Sequence, residues 1–179
     1  PLRGSRRRDA ADHLAAVQRL REFVRAVPDG WALSCDVRKY FQSVRHEILL
    51  DLLARKIKDE RVLELLRSLV VTAPVDPGFG EGRGIPIGNL TSQLFANVYL
   101  SPLDHFAKET LRLRRYVRYV DDIVVVEAER LRLVEARDAR GAHLARVGLA
   151  FHPHRCAIVP VARGVPFLGY TVSSARLRV

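Results

Sequence analysis

The chain has no methionine, two cysteines, one tryptophan and only 7% aromatic residues in 179 positions. The absence of any methionine, initiator included, leads us to expect a processed or excised piece of a longer protein. Cys35 and Cys156 sit in apolar stretches without CxxC spacing, which argues for small buried hydrophobes in a reducing compartment over a disulfide framework. No apolar run approaches the ~18 residues a membrane span needs, and no signal-peptide core opens the chain. A cytoplasmic protein with no membrane partner is expected. No GxxxxGKS or GxxxxGKT is present, and the glycines do not open a helix after a strand, so phosphate loops and dinucleotide loops are set aside. His152, His154 and Cys156 alternate as zinc ligands on a strand would, but no fourth ligand accompanies them and Pro153 interrupts the strand. Lysine is scarce too: four of the thirty cations. The formal charge of +10 suits a polyanion such as nucleic acid, although nucleotide bias in a genome also yields an Arg-rich, Lys-poor chain.

What is present is enough for one well-packed domain, at 48% hydrophobic residues. His13/Leu14, Val17, Leu20, Val24 and Val27 follow a helical period, with Asp9 as N-cap and Pro28-Asp29-Gly30 as the stop. WALSCDV, residues 31–37, reads as a short buried strand. Ser43 is placed to cap a helix carrying Ile48, Leu49, Leu52, Leu53 and Ile57, and Asp59 to cap another carrying Val62, Leu63, Leu66 and Leu69. The alternating glycines of PGFGEGRG, residues 77–84, predict a flexible loop or loose hairpin. A buried helix with Leu94, Phe95, Val98, Leu103 and Phe106 is expected after Gly88. RYVRYVDDIVVVE, residues 115–127, then reads as two strands joined at the aspartates. An Arg-rich helix from about 129 to 147 should end at Gly148, and CAIVPV with VPFLGYTV should close the chain as a hairpin turned at Arg163-Gly164. Strand, helices, strand, strand, helix, strand is the split βαβ order of a ferredoxin-like α+β core.

Asp121 and Asp122 interrupt an otherwise buried apolar run. Taken alone, two aspartates at a turn serve the turn, because Asp bonds nearby backbone amides. A third carboxylate, Asp36, ends another apolar strand, and in the split βαβ arrangement that strand neighbours the central hairpin. Converging buried carboxylates repel and lose hydration unless a cation compensates them. Mg²⁺, which takes one or two carboxylates plus waters and phosphate oxygens, is the expected compensation.

Four ordered motifs resemble those of the reverse transcriptases and cover nearly the whole chain. CDVRKYF (35–41) looks like the first catalytic-aspartate motif, GIPIGNLTSQ (84–93) like the template and nucleotide motif, YVDD (119–122) like the YxDD box, and FLGY (167–170) like the primer-grip hairpin. The resemblance implies a polymerase palm with a helical fingers remnant: residues 1–30 fingers, 31–179 palm with fingers-derived helices at about 43–90, and no thumb. It implies two Mg²⁺ ions, with Mn²⁺ as a substitute, held by Asp36, Asp121, Asp122 and the Val37 carbonyl. Phe41 would be the steric gate that rejects a ribose 2′-hydroxyl, although read alone it is a core aromatic. Arg38, Lys39 and Tyr40 would meet the triphosphate through backbone amides, Ile87, Gly88, Gln93 and Arg155 would line the nucleotide site, and Phe167, Leu168, Gly169 and Tyr170 would hold the primer. The implied partners are an RNA template, a DNA or RNA primer, dNTPs and an accessory protein. A palm-fold nucleotide cyclase or a non-catalytic RNA-binding module remain the alternatives.

The departures from the family pattern carry information. Ile87-Gly88 and Ser92-Gln93 stand where many reverse transcriptases have Gln-Gly and Ser-Pro, as in diversity-generating retroelement and retron-like or defence-associated enzymes. Arg155 stands where a lysine is common and, being always protonated, suits an electrostatic role over proton donation. The rest of the fingers and the thumb would lie outside residues 1–179, so the piece alone is not expected to polymerise. Replacing an amide by Ile87 removes a hydrogen-bonding group beside the incoming nucleotide, which should loosen selection. Ile87→Gln is expected to lower misincorporation opposite template adenine in a single-nucleotide fidelity assay; an unchanged error rate would refute that role.

Overall fold

The computed structural model describes residues 3–72, 80–86, 90–175, 177 and 178. Helix α1 (Arg3–Ala26) leads into β1 (Trp31–Val37), followed by α2 (Tyr40–Ser43), α3 (His46–Ala54), α4 (Glu60–Val71) and α5 (Leu90–His105). A π-helical turn at Phe106–Thr110 extends α5 towards β2 (Tyr116–Tyr119) and β3 (Asp122–Glu127). Helix α6 (Arg130–Arg146), β4 (Phe151–Pro160), β5 (Val165–Phe167), β6 (Tyr170–Val172) and β7 (Leu177–Arg178) complete the chain. The main sheet has the order β2-β3-β1-β4 with every neighbouring pair antiparallel, while β5, β6 and β7 form a second small sheet. This is the ferredoxin-like α+β architecture that the element order predicts.

The apolar run in β3 is unbroken because both faces of the sheet are covered. On one side Leu33, Cys35, Ile123 and Val125 pack with Phe95, Leu100 and Leu103 of α5 and Leu133, Ala136 and Leu144 of α6. On the other, Ala32, Val117, Val124 and Val126 meet Val17, Leu20, Phe23 and Val24 of α1 and Val165, Phe167 and Val172 of the small sheet. Each such fully buried aliphatic side chain contributes about 1.5–3 kcal/mol. Among the described residues no helix is long and apolar enough to cross a membrane.

Several local expectations hold. Asp59 accepts the Arg61 and Val62 amides at the start of α4, and Gly148 takes φ +73° just past the C-cap of α6. Others need correction. Helix α1 starts at Arg3, ahead of Asp9, since the arginines in between are good helix formers. Ser43 ends the short α2 with its hydroxyl on the Lys39 carbonyl, and Arg45 caps α3 instead. The described part of the glycine segment is fastened, not loose: Gly84 and Ile85 amides donate to the Val44 and Phe41 carbonyls at 2.7 and 2.9 Å, and the His46 amide donates to Gly82 at 2.9 Å. Strand β4 runs through Pro153, which an edge strand tolerates because one side of its backbone is unpaired. The predicted hairpin at Arg163-Gly164 does not form. β4 pairs with the free edge of β1, and the turn moves to Leu168-Gly169, whose φ values of +53° and +79° are those of a type I′ hairpin joining β5 to β6.

Gly30 closes the turn from α1 to β1, where an added Cβ would stand 2.5 Å from Val27 Cγ1 and 2.6 Å from the Glu127 carbonyl oxygen. The backbone partner belongs to the β1–β3 ladder and cannot give way. Gly30→Ala is expected to destabilise the fold by about 1–3 kcal/mol, read as a lower urea midpoint at unchanged slope.

Candidate active site

Antiparallel pairing of Cys35 with Ile123 puts the C-terminal end of β1 beside the start of β3, so Asp36 reaches the β2–β3 turn. The turn residues are Val120 and Asp121, closed by the Tyr119–Asp122 pair. The bend is thus one residue earlier than expected, and Asp122 is the first residue of β3. Val120 has φ +55°, a conformation that a β-branched residue rarely adopts. Arg118 holds this strained turn: its Nη1 donates to the Val120 carbonyl at 2.8 Å and to Asn97 at 2.9 Å. The guanidinium is itself gripped by both oxygens of Asp104, at 2.8 and 2.6 Å, and Tyr116 donates to Asp104 at 2.7 Å. Arg118 therefore serves the turn rather than a ligand. Arg112, Arg114 and Arg115 line a separate recess with Glu127 and Arg132 at the opposite end of the hairpin strands, away from the aspartates.

The β1–β3 register brings the carboxyls of Asp36 and Asp121 together, close enough for the Asp36 charge to disfavour ionisation of Asp121. Burial is the main reason that Asp121 is pushed up to about 6, with the charges of Asp36 and Asp122 adding to it. Asp122 is raised as well, first by burial and then by Asp36, while Arg155 and His13 oppose the rise. Arg155 Nη1 donates to Asp36 Oδ2 at 3.0 Å across β1 and β4. That contact falls where the β1–β4 register shifts between Cys35 and Val37, an irregularity that turns the exposed Arg155 onto the acidic end of β1.

Asp36, Asp122 and Arg155 face a groove of about 550 Å³ whose opposite wall is Phe167, Leu168, Gly169 and Tyr170. The catalytic-aspartate and FLGY segments are thus brought to one place. His13 of α1 lies edge-on to Tyr119 at 5.4 Å and 5.9 Å from Tyr170, joining the two hairpins from above. Phe41 is half-buried against the core, 5.6 Å from the Tyr40 ring, and Tyr40 is buried with its hydroxyl on the Ala96 carbonyl. Lys39 is left-handed at φ +46°, so the chain turns sharply between Val37 and Tyr40. The Arg38 amide donates to Ala150 at 2.9 Å; it is not available to a triphosphate, and only its exposed side chain could serve. Val37 is buried, Gln93 is exposed on α5, and Ile87 and Gly88 lie outside the described residues.

The Asp104–Arg118 clamp and His13 carried no sequence signal of their own. By its place in the Arg-rich run beside YVDD, Arg118 suits a phosphate contact and a solvated face equally, and Asp104 sits in an ordinary helix end, so only the folded chain joins them. As to metal, among the described residues no group of three or more His, Cys, Asp or Glu forms a ligand cage. Converging carboxyls whose burial and mutual repulsion disfavour their charge, with Asp36 and Asp122 open to a groove, fit a hard divalent cation that completes its shell with water and substrate oxygens.

A ferredoxin-like sheet presenting carboxylates from β1 and the β2–β3 turn beside a short hairpin is the layout expected of a polymerase palm. The family model for reverse transcriptase (RNA-dependent DNA polymerase) matches residues 9–172, and the chain belongs to that family. It is 25% identical over 183 residues to protein YkfC of Escherichia coli K12, across 83% of this chain and 48% of that protein. It is 34% identical over 82 residues to an uncharacterized 91 kDa protein in cob intron of Schizosaccharomyces pombe, covering 42% of this chain and 10% of that one. The chain thus spans about half the length of YkfC and far less of the intron protein. Its fold is similar to that of a Candida albicans telomerase in complex with a telomeric RNA fragment, with TM-score 0.70 and 14% identity over 94% of this chain and 34% of the other. A Candida tropicalis telomerase truncated from its C-terminal domain gives TM-score 0.67 and 12% identity over 90% of this chain and 38% of the other.

The raised Asp121 pKa sets a stability test. With a folded value near 6 against an ordinary carboxylate value near 4, ionising Asp121 penalises the folded state as pH rises through that window. In EDTA, Asp121→Asn should be more stable than the parent above about pH 6, by about 1–2 kcal/mol after solvent screening, and indistinguishable below about pH 4. Thermal melts from pH 4 to 8 check this.

Proposed function

We propose that this chain is the palm, with part of the fingers, of an RNA-directed DNA polymerase that adds deoxynucleotides to a primer 3′-hydroxyl. The observation that carries the reading is the convergence of Asp36 on the turn bearing Asp121, beside the groove lined by Phe167, Leu168, Gly169 and Tyr170. Family membership, and RNA bound to a telomerase of similar fold, favour an RNA template. Residues 1–30 would be fingers and 31–179 palm. Because the chain covers half of YkfC, full activity is assigned to the complete protein, acting in the cytoplasm with an accessory protein.

Asp36, Asp121, Asp122 and the Val37 carbonyl would hold two Mg²⁺ ions, with Mn²⁺ as a substitute. Bound there, the ions lower the pKa of the attacking hydroxyl and neutralise the departing pyrophosphate. The chain's own residues supply the rest. Arg118 and Asp104 keep the turn bearing Asp121 in a single geometry, so the carboxylates are in place before substrate arrives. The hairpin at Leu168-Gly169 steadies the primer end against Asp122. Phe41 stands where a ribose 2′-hydroxyl would have to fit and selects deoxynucleotides. The Arg38 side chain and the Lys39 and Tyr40 amides meet the triphosphate, with Ile87, Gly88 and Gln93 on the nucleotide and template side. Arg155 leaves Asp36 for phosphate oxygens and acts by charge.

The intact protein is expected to extend a primed RNA template with dNTPs in Mg²⁺, and Asp121→Asn to lose on the order of 10³-fold in rate. Cyclic product from NTP without primer would replace this reading with a cyclase. Salt-sensitive RNA binding without product, indifferent to the substitution, would replace it with a binding module.

A further inference from the structure

Cys35 and Cys156 are direct partners across the antiparallel β1–β4 pair. Directly opposed residues in such a ladder have Cα atoms about 4.5 to 5.5 Å apart, within the span that a disulfide bridges. Both thiols are free, and direct pairing across the ladder puts their side chains on the same face of the sheet. Cys35 is 2% exposed, whereas Cys156 is partly open to solvent on an edge strand. One sulfur is thus reachable and the other waits beneath it.

A second, independent feature lies over the pair. Arg140 of α6 is completely buried, and none of its three guanidinium nitrogens has a hydrogen-bond partner among the described residues. Its charge rests on the ring faces of Tyr116 at 5.6 Å and Phe151 at 5.2 Å, and it acts electrostatically on both sulfurs. An unpaired buried cation is costly, and this one belongs to α6, which packs on both β1 and β4.

We infer that Cys35 and Cys156 are a redox modification site that closes to a reversible intrachain disulfide when hydrogen peroxide reaches Cys156. The Cys156 sulfur attacks a peroxide oxygen, the O–O bond breaks, and the sulfur is oxidised to a sulfenic acid as water departs. The Cys35 sulfur then attacks Cys156 Sγ; the S–S bond forms, the S–O bond breaks, and the hydroxide leaves as water with the Cys35 proton. Two thiols and one peroxide become one disulfide and two waters. The crosslink would fasten β1 to β4 one residue from Asp36 and one from Arg155, at the place where the strands shift register. The absence of a disulfide framework in the sequence is compatible with this, since the bridge is conditional and not a folding staple.

The test reads the bond itself and is independent of polymerase activity. The reduced, intact protein is treated with hydrogen peroxide, alkylated and cut with trypsin. The expected result is loss of both free thiols and appearance of tryptic peptide 26–38 joined to 156–163, separated again by dithiothreitol. In Cys35→Ser the Cys156 sulfenic acid should persist and be trapped by dimedone, and in Cys156→Ser the buried Cys35 should stay reduced. Dimedone-labelled or sulfinic Cys156 in the parent without the joined peptide, or a joined peptide found only between two chains, would overturn the assignment.

Discussion

The antiparallel pairing of β1 with β3, which sets Cys35 opposite Ile123, is the constraint on which everything at the acidic site depends. A slip of one residue would exchange the faces of the sheet and aim Asp36 away from Asp121, into one of the two apolar layers. The side chains that fill those layers are mostly apolar and would leave a buried carboxylate without hydration. Packing on both faces therefore selects the register, and the register in turn delivers the acids to the strand ends, where solvent and Arg155 moderate their charge.

Charge and strain are then tolerated locally because the surroundings over-determine them. Val120 sits in a left-handed conformation that costs of order 1–3 kcal/mol, and Arg118, anchored by Asp104, keeps it there. Burial together with Asp36 and Asp122 keeps Asp121 partly protonated near neutrality. Sites at which a fold stores unfavourable electrostatics are where a cation, a proton or a substrate phosphate gains most by binding. The same end of the sheet carries the FLGY hairpin, so the groove between them joins a reactive edge to a surface that can hold a chain end.

Much of this was legible beforehand. Both catalytic-motif strands, the Asp59 cap, the glycine after α6 and the split βαβ order follow from apolar periodicity and cap residues, which act over a few positions. Ser43 and the Arg163-Gly164 turn misled because a good cap or turn residue is only permissive. The β4 strand was drawn away by the open edge of β1, and a competing two-residue turn at Leu168-Gly169 took the hairpin. The burial of Arg118 and Arg140 has no local signal, since it depends on which aromatic or carboxylate the fold brings to the guanidinium.

By itself the sequence determined the order of elements, the apolar layers and the identity of the acidic motifs, because each is written in contiguous or periodic residues. Only the tertiary structure decided that Asp36 converges on Asp121, that Arg155 reaches Asp36, that Arg118 steadies the turn and that the two cysteines face each other. Those contacts link residues far apart in the chain, and their distances are set by strand order and register, which no local pattern encodes.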